Sequence, residues 1–217
     1  AALSCYGVPN SLLTVMEFGG PQNRNSEATT TFTFEDRTAS LNISGSESII
    51  VPWKSHNSYY PEAVEVRINT EQRQDQRVIS GSGWSVDIDY LESGSLGVFR
   101  LNVDNGTEFV SSSTSQMAFF NDEYTQIAVN RVTSSTDDTF TLHVKEGFQG
   151  RIRNEVSTSL DVANSTNGWE DGTLLQIGGT TLTGSIDEFR LWSAPLSESV
   201  IRNHTLMPDG INGNHIS

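Results

Sequence analysis

The stretch that decides the fold class is Thr139-Phe140-Thr141-Leu142-His143-Val144-Lys145-Glu146-Gly147. Apolar and polar residues alternate strictly in it, and a period of two places all the apolar side chains on one face of an extended strand. The same alternation recurs in shorter segments along the chain, at 32–34, 41–43, 64–68 and 86–90. Each segment predicts a β-strand with one buried face and one solvated face.

Glycine-rich and polar turn signals separate these strands, at 44–46, 80–83, 104–106, 146–147, 167–168 and 178–179. Strands that reverse at such turns form antiparallel sheets, and the long apolar runs of a parallel sheet are absent from the sequence. Residues 195–203 alone favour a helix, because Ser197 can cap its first turn. We therefore predict an all-β fold, a two-sheet antiparallel β-sandwich of jelly-roll type, with one short C-terminal helical turn.

Charge and composition exclude several classes of partner. The chain has 217 residues with 27 acidic and 13 basic side chains, which gives a formal net charge of −14. A surface of this sign repels nucleic acid, so we expect no nucleic-acid partner. No apolar run approaches the length of a membrane span, and we expect no membrane insertion. Cys5 is the only cysteine, so the fold contains no internal disulfide.

Three segments carry a resemblance to a known family. Residues 184–197 are similar to the closing strand and short helical turn of the laminin-G-like, concanavalin A-like jelly-roll domain, residues 39–52 resemble its opening strand pair, and residues 124–147 resemble its central hairpin. The resemblance implies a jelly-roll domain over residues 39–205, with a C-terminal tail at 206–217. Residues 1–38 are then an N-terminal arm, in which Leu12 to Phe18 could add an edge strand.

Asp187 is the most testable candidate site. If its strand runs without a bulge, Asp187 shares a face with Phe189 and Leu191, where an unpaired charge is costly. One candidate partner is a structural Ca²⁺, a hard cation that prefers oxygen ligands. The resemblance implies that carbonyl oxygens of a glycine turn, here Gly45, complete such a site. The alternative is that Asp187 accepts hydrogen bonds from backbone amides or pairs with an arginine.

A second candidate site is aromatic. It comprises Trp53, His56, Tyr59, Tyr60 and Trp169. Sugars stack an apolar ring face on an aromatic side chain while nearby polar groups bind the hydroxyls, so these residues predict a glycan platform. The alternative is that several of these rings pack inside and close the end of the sandwich.

A third pattern concerns possible catalytic residues. Glucanases of the same jelly-roll group carry two catalytic carboxylates on one strand, and the strand with Asp87 and Asp89 resembles theirs. Serine, however, occupies position 85, where the first glutamate should stand. We therefore assign no catalytic residue and expect the protein not to be an enzyme.

Together these observations predict a non-catalytic recognition or adhesion module that binds a glycan or a protein surface on a virion or cell exterior. The alternative is a structural phage virion protein, a capsid decoration, head-fibre or tail component whose main ligand is a neighbouring subunit. A homo-oligomer is compatible with either hypothesis. A glycoside hydrolase of the glucanase type ranks third.

Overall fold

The computed structural model describes residues 40–54, 59–179 and 181–214. The expected N-terminal arm, with its edge strand from Leu12 to Phe18, lies outside these ranges, and so does His56.

Within these ranges the chain forms two sheets, the first of which has six strands, and every neighbouring pair in it is antiparallel. In sheet order, its strands are β1 (Leu41–Ile43), β13 (Gly184–Trp192), β3 (Ala63–Asn69), β9 (Thr125–Thr133), β10 (Asp137–Phe148) and β11 (Arg151–Ala163). Strand β10, which contains the strictly alternating stretch 139–147, pairs with both β9 and β11.

The second sheet has seven strands in the part of the chain that the structure describes, and they are also antiparallel. Its path is β2 (Ser48–Pro52), β12 (Leu174–Gly178), β4 (Gln76–Ser80), β5 (Trp84–Tyr90), β6 (Leu96–Asp104) and β7 (Phe109–Ser113), and β8 (Met117–Ala118) pairs with β6. A short 3-10 helix, Gly168–Glu170, precedes β12. The predicted all-β fold, a two-sheet antiparallel sandwich, is confirmed.

The core lies between the two sheets and is built from the apolar side of each alternating strand. Phe140, Leu142 and Val144 of β10 are buried there, as the period of two predicts. In β6, Phe99 and Leu101 are buried while Arg100 and Asn102 are partly exposed on the outer side. Burial of one face of each strand provides most of the favourable free energy of such a sandwich.

Helix α1 (Glu198–Leu206) packs on the outer face of the six-stranded sheet. Ser197 caps it by accepting a hydrogen bond from the Val200 amide at 3.4 Å. Ile201 packs with Ala63 and Ala128, small residues that let the helix approach the strands closely. The predicted helical segment is present and extends for nine residues to Leu206.

The packing of α1 on this outer face corrects one expectation about β3. The alternation of Val64, Val66 and Ile68 with Glu65 and Arg67 predicts a solvated outer face, but Glu65 and Arg67 are also buried. Helix α1 contributes His204 against Glu65, and Asp187 of β13 lies against Arg67. Both faces of β3 are therefore buried, and its polar side chains need partners inside the protein.

Within the part of the chain that the structure describes, no helix combines the length and the apolar character needed to cross a bilayer.

Candidate functional site

The outer face of the seven-stranded sheet carries an ordered set of polar side chains. Strand register places Arg77, Asp87 and Arg100 side by side on β4, β5 and β6, and it pairs Ser85 with Asn102. Asp89 lies two residues beyond Asp87 and points to the same side. We call these six residues the polar sheet face.

Asp87 is the centre of this face. Its Oδ1 accepts a hydrogen bond from Arg77 Nε at 2.8 Å, and its Oδ2 accepts from Arg77 Nη2 at 3.3 Å. Oδ2 also accepts from Asn102 Nδ2 at 2.8 Å and from Ser85 Oγ at 3.4 Å. A carboxylate held by a two-pronged arginine contact and an amide has a fixed orientation. This arrangement can present donors and acceptors to a polar ligand without rearranging.

Asp89 is held by one arginine, since Arg100 Nη2 donates to its Oδ1 at 2.6 Å. Partial burial raises the pKa of Asp89, the positive charge of Arg100 lowers it, and the negative charges of Asp75 and Asp87 raise it again. The two acids that resemble a glucanase pair therefore each contact an arginine. Both oxygens of Asp87 are occupied by protein donors, which suits a positioning role in ligand binding.

Two shallow depressions adjoin the polar sheet face. One of about 320 Å³ is lined by residues that include Ser85, Asn102 and Phe109. The other, of about 330 Å³, is lined by residues that include Asp75, Asp89 and Thr181. Both are also lined by Arg77, Asp87 and Arg100. The two depressions are therefore neighbours on one open surface.

Phe109 is a functional candidate that the sequence did not predict. It is 56% exposed at the start of β7 and contributes to the wall of the depression beside Asn102. An exposed aromatic ring next to an amide and a carboxylate combines the two features that a sugar needs. The alternation in β7 is the sequence pattern that could have identified Phe109. It places Phe109, Ser111 and Ser113 on one face, and Ser111 pairs with Asn102.

Two residues of the predicted aromatic platform are packed inside the sandwich, as the alternative stated for them requires. Trp53 and Trp169 are both 0% exposed, so neither indole can stack on a ligand. Trp169 stacks on Trp84 with ring centroids 4.5 Å apart. Trp53 Nε1 donates to the Trp169 carbonyl at 2.7 Å, and Trp169 Nε1 donates to the Pro61 carbonyl at 2.8 Å. These indoles are inside because their N–H groups find backbone acceptors there.

The two tyrosines of the same prediction are less buried than these tryptophans. Tyr59 is exposed, and Tyr60 is half-buried with its ring 6.3 Å from Trp53. The Tyr60 hydroxyl donates to the Gly172 carbonyl at 3.3 Å, and Lys54 Nζ lies 5.3 Å from the centre of the Tyr60 ring. Tyr59 and Tyr60 therefore form an accessible aromatic rim next to the buried tryptophans, and a ligand role for them stays a prediction.

Asp187 does not share a face with Phe189, because β13 contains a bulge between them. Asp187 pairs with Arg67 of β3, whereas Phe189 pairs with Val66. Arg67 Nη1 lies 3.5 Å from Asp187 Oδ2, and both side chains are almost fully buried. The bulge thus turns the carboxylate to the outer side of the sheet, where an arginine balances its charge.

The structure does not bring Gly45 and Asp187 together. Strand β1 ends at Ile43, opposite Gly184, and Gly45 follows in the turn beyond it. The Gly45 amide donates to Thr183 Oγ1 at 3.1 Å. Among the residues in the described ranges, no group of three or more His, Cys, Asp or Glu is placed to hold a metal ion. The geometry of Asp187 fits the alternative stated for it, a pairing with an arginine.

Comparisons with known proteins agree with the fold. No protein-family model and no curated protein sequence matches the chain. Twenty-two chains of solved structures match it. One is the crystal structure of the LG1-3 region of the laminin alpha2 chain, with a TM-score of 0.50 and 9% sequence identity. That match covers 74% of this chain and 32% of the laminin chain, so the protein spans about a third of its length. The laminin-G-like jelly-roll fold that the sequence resembles is confirmed.

Proposed function

We propose that the protein is a non-catalytic recognition module that binds a glycan or a protein surface through the polar sheet face, on a virion or cell exterior. The observation that carries this proposal is the exposed ring of Phe109 in the same depression as the fixed Asp87–Asn102 pair. The laminin-G-like fold supplies an open sheet face, and the side chains on it supply the binding chemistry.

The chemistry of this face favours a sugar. Asn102, Ser85 and the two arginines offer donors, and the carboxylate of Asp89 and the amide oxygen of Asn102 offer acceptors, while Asp87 holds its neighbours in place. Sugar hydroxyls use both kinds of group, while the ring face of a sugar is apolar enough to pack on Phe109. The depressions are wide and shallow, which suits a ligand that lies on the surface.

A glycan array and a cell-wall pull-down test this proposal. The variants are Phe109→Ala and Asn102→Ala on the proposed site, with Leu174→Ala as the control, because Leu174 has the same 56% exposure as Phe109 but lies on β12. We expect Phe109→Ala to weaken binding by about two- to tenfold, as for other aromatic contacts. The Leu174→Ala variant should bind like wild type.

Two outcomes contradict the proposal. One is the absence of binding to every glycan, surface protein and cell-wall preparation. The other is binding that Phe109→Ala and Asn102→Ala leave intact but Tyr59→Ala removes, because the ligand would then lie at the aromatic rim.

We propose a structural virion protein as the second candidate. The observation that favours it is β11, a strand of 13 residues at the edge of the six-stranded sheet. The outer edge of such a strand can pair with a strand of a neighbouring subunit. Light scattering and cross-linking of the chain with virion proteins test this candidate. A chain that stays monomeric and binds no capsid, tail or sheath protein would contradict it.

We rank a glucanase third and expect laminarin and lichenan to release no reducing ends on incubation with the protein. Release of sugars that is lost in Asp87→Asn would reverse this ranking.

A further inference from the structure

A buried pair of ionisable side chains joins helix α1 to the six-stranded sheet. Glu65 of β3 and His204 of α1 are both 0% exposed. His204 Nδ1 lies 3.0 Å from Glu65 Oε1 and 2.9 Å from Glu65 Oε2. Gln126 Nε2 donates to Oε1 at 3.2 Å, and Trp192 Nε1 donates to Oε2 at 2.7 Å. The carboxyl group of Glu65 is therefore surrounded by side chains from the two neighbouring strands and the helix.

The other ring nitrogen of His204 reaches the segment that follows α1. His204 Nε2 lies 2.9 Å from the carbonyl oxygen of Asn212. A carbonyl oxygen accepts but cannot donate, so Nε2 must carry a hydrogen in this contact. Since Nδ1 faces the carboxyl group of Glu65, a second proton lies between Nδ1 and Glu65. The contact with Asn212 thus depends on this second proton.

The segment from Met207 to Asn214, which we call the C-terminal segment, is held at several points. Asn214 Oδ1 accepts from the Ser197 amide at 2.9 Å, and Asn214 Nδ2 donates to the Pro195 carbonyl at 2.7 Å. Arg190 donates to the Pro208 carbonyl. A methyl group added at Gly213 would lie 3.5 Å from the Trp192 ring, which also stacks on His204. The segment therefore covers Trp192.

We propose that the Glu65–His204 pair is a proton-dependent switch that holds the C-terminal segment over Trp192. When the second proton is lost as the pH rises, the remaining imidazole proton stays on Nδ1, because Nδ1 faces the carboxylate. Nε2 then presents a lone pair to the Asn212 carbonyl oxygen, and a hydrogen bond becomes a repulsion between two acceptors. The segment is released at its centre and uncovers Trp192.

Other charges near the pair are largely balanced by ion pairs. The ionisable groups on the surrounding elements include Arg67, Arg131, His143, Lys145, Glu155, Asp187, Glu188, Arg190, Glu198, Arg202 and Asp209. Arg67 pairs with Asp187, Arg190 with Glu188, and Lys145 with Glu198. His143 is a second histidine on these elements, so its contribution must be removed in the test.

Hydrogen exchange of the C-terminal segment tests this switch. Protection factors of residues 207–214 are measured between about pH 6 and 9, where histidines titrate, in the His143→Gln background. We expect protection to fall by about ten- to a hundredfold with rising pH, as expected for loss of a hydrogen bond to a charged group. Protection that stays constant over this range would overturn the proposal.

Glu65→Gln is the matched variant. The side-chain amide that this substitution introduces can donate to Nδ1 of a neutral His204 while its oxygen accepts from Trp192, so Nε2–H still donates to Asn212 at every pH in this range. We expect protection of the segment in this variant to be independent of pH. A fall equal to that of wild type would overturn the proposal. Imidazole nitrogen chemical shifts of wild-type His204 give a second measurement, and a ring with an unprotonated Nε2 below about pH 7 would also overturn it.

Discussion

The guanidinium of Arg67 lies 3.5 Å from the carboxylate of Asp187, and it also lies 5.1 Å from the centre of the Tyr124 ring. Both members of the ion pair are almost fully buried on the outer face of the six-stranded sheet. Arg67 therefore balances the charge at the position where the sequence predicts calcium. Loss of a charged contact inside a protein is costly, so removal of either side chain should destabilise the fold.

Asp187→Asn should lower the free energy of unfolding by about 3–5 kcal/mol, because it removes the buried carboxylate that Arg67 contacts. Urea denaturation measures this loss. In the double variant Arg67→Met/Asp187→Asn, neither charge of the pair remains, and we expect part of the stability to return. Millimolar Ca²⁺ and EDTA should each leave the melting temperature unchanged. A rise in melting temperature with Ca²⁺ that Asp187→Asn removes would contradict this account.

Substitutions at Trp169 and Tyr59 should differ in their effect on stability, because the first residue is buried and the second is exposed. Trp169→Ala should cost about 3–5 kcal/mol of stability, because it opens a cavity against Trp53 and Trp84 and removes the donor to Pro61. Tyr59→Ala should change stability by about 0.5 kcal/mol or less, since Tyr59 is 74% exposed. Thermal and urea unfolding check both values. A stable Trp169→Ala variant would show that the indole cluster is not closely packed.

His143 should make the protein less stable in acid. Burial lowers the pKa of His143, Lys145 lowers it further, and Glu198 opposes both. The unfolded chain therefore binds the proton more tightly than the folded one, and stability falls as the pH decreases from about 6.5 towards the lower folded pKa. Urea unfolding at several pH values should show a smaller acid loss in His143→Gln than in wild type. Equal losses in the two proteins would contradict this assignment.

The sequence predicts the fold well because the period of two is a local property. Phe140, Leu142 and Val144 point into the core as their alternation requires, and Ser197 caps the predicted helix. The polar partners of β3 are different, since Glu65 meets His204 from 139 positions away in the sequence. Such a pairing depends on where α1 packs, and alternation along β3 carries no information about it.

The candidate site shows the same limit. A bulge in β13 turns Asp187 to the opposite face from Phe189, and no residue type in that strand marks the bulge. Trp53 and Trp169 are of a residue type that suits a glycan platform. Their N–H groups, however, donate to backbone carbonyls inside the sandwich. Phe109 could have been found from the alternation in β7, but its neighbours Asn102 and Asp87 come from other strands, and register alone places them together.

The most direct test of the proposed recognition surface is an NMR titration of the protein with a glycan that the array identifies. We expect shift changes concentrated at the polar sheet face, at Arg77, Asn102 and Phe109 above all, with the glycan recovered intact. Changes confined to Tyr59 and Tyr60, or a glycan cleaved during the titration, would contradict a non-catalytic module that binds through this sheet.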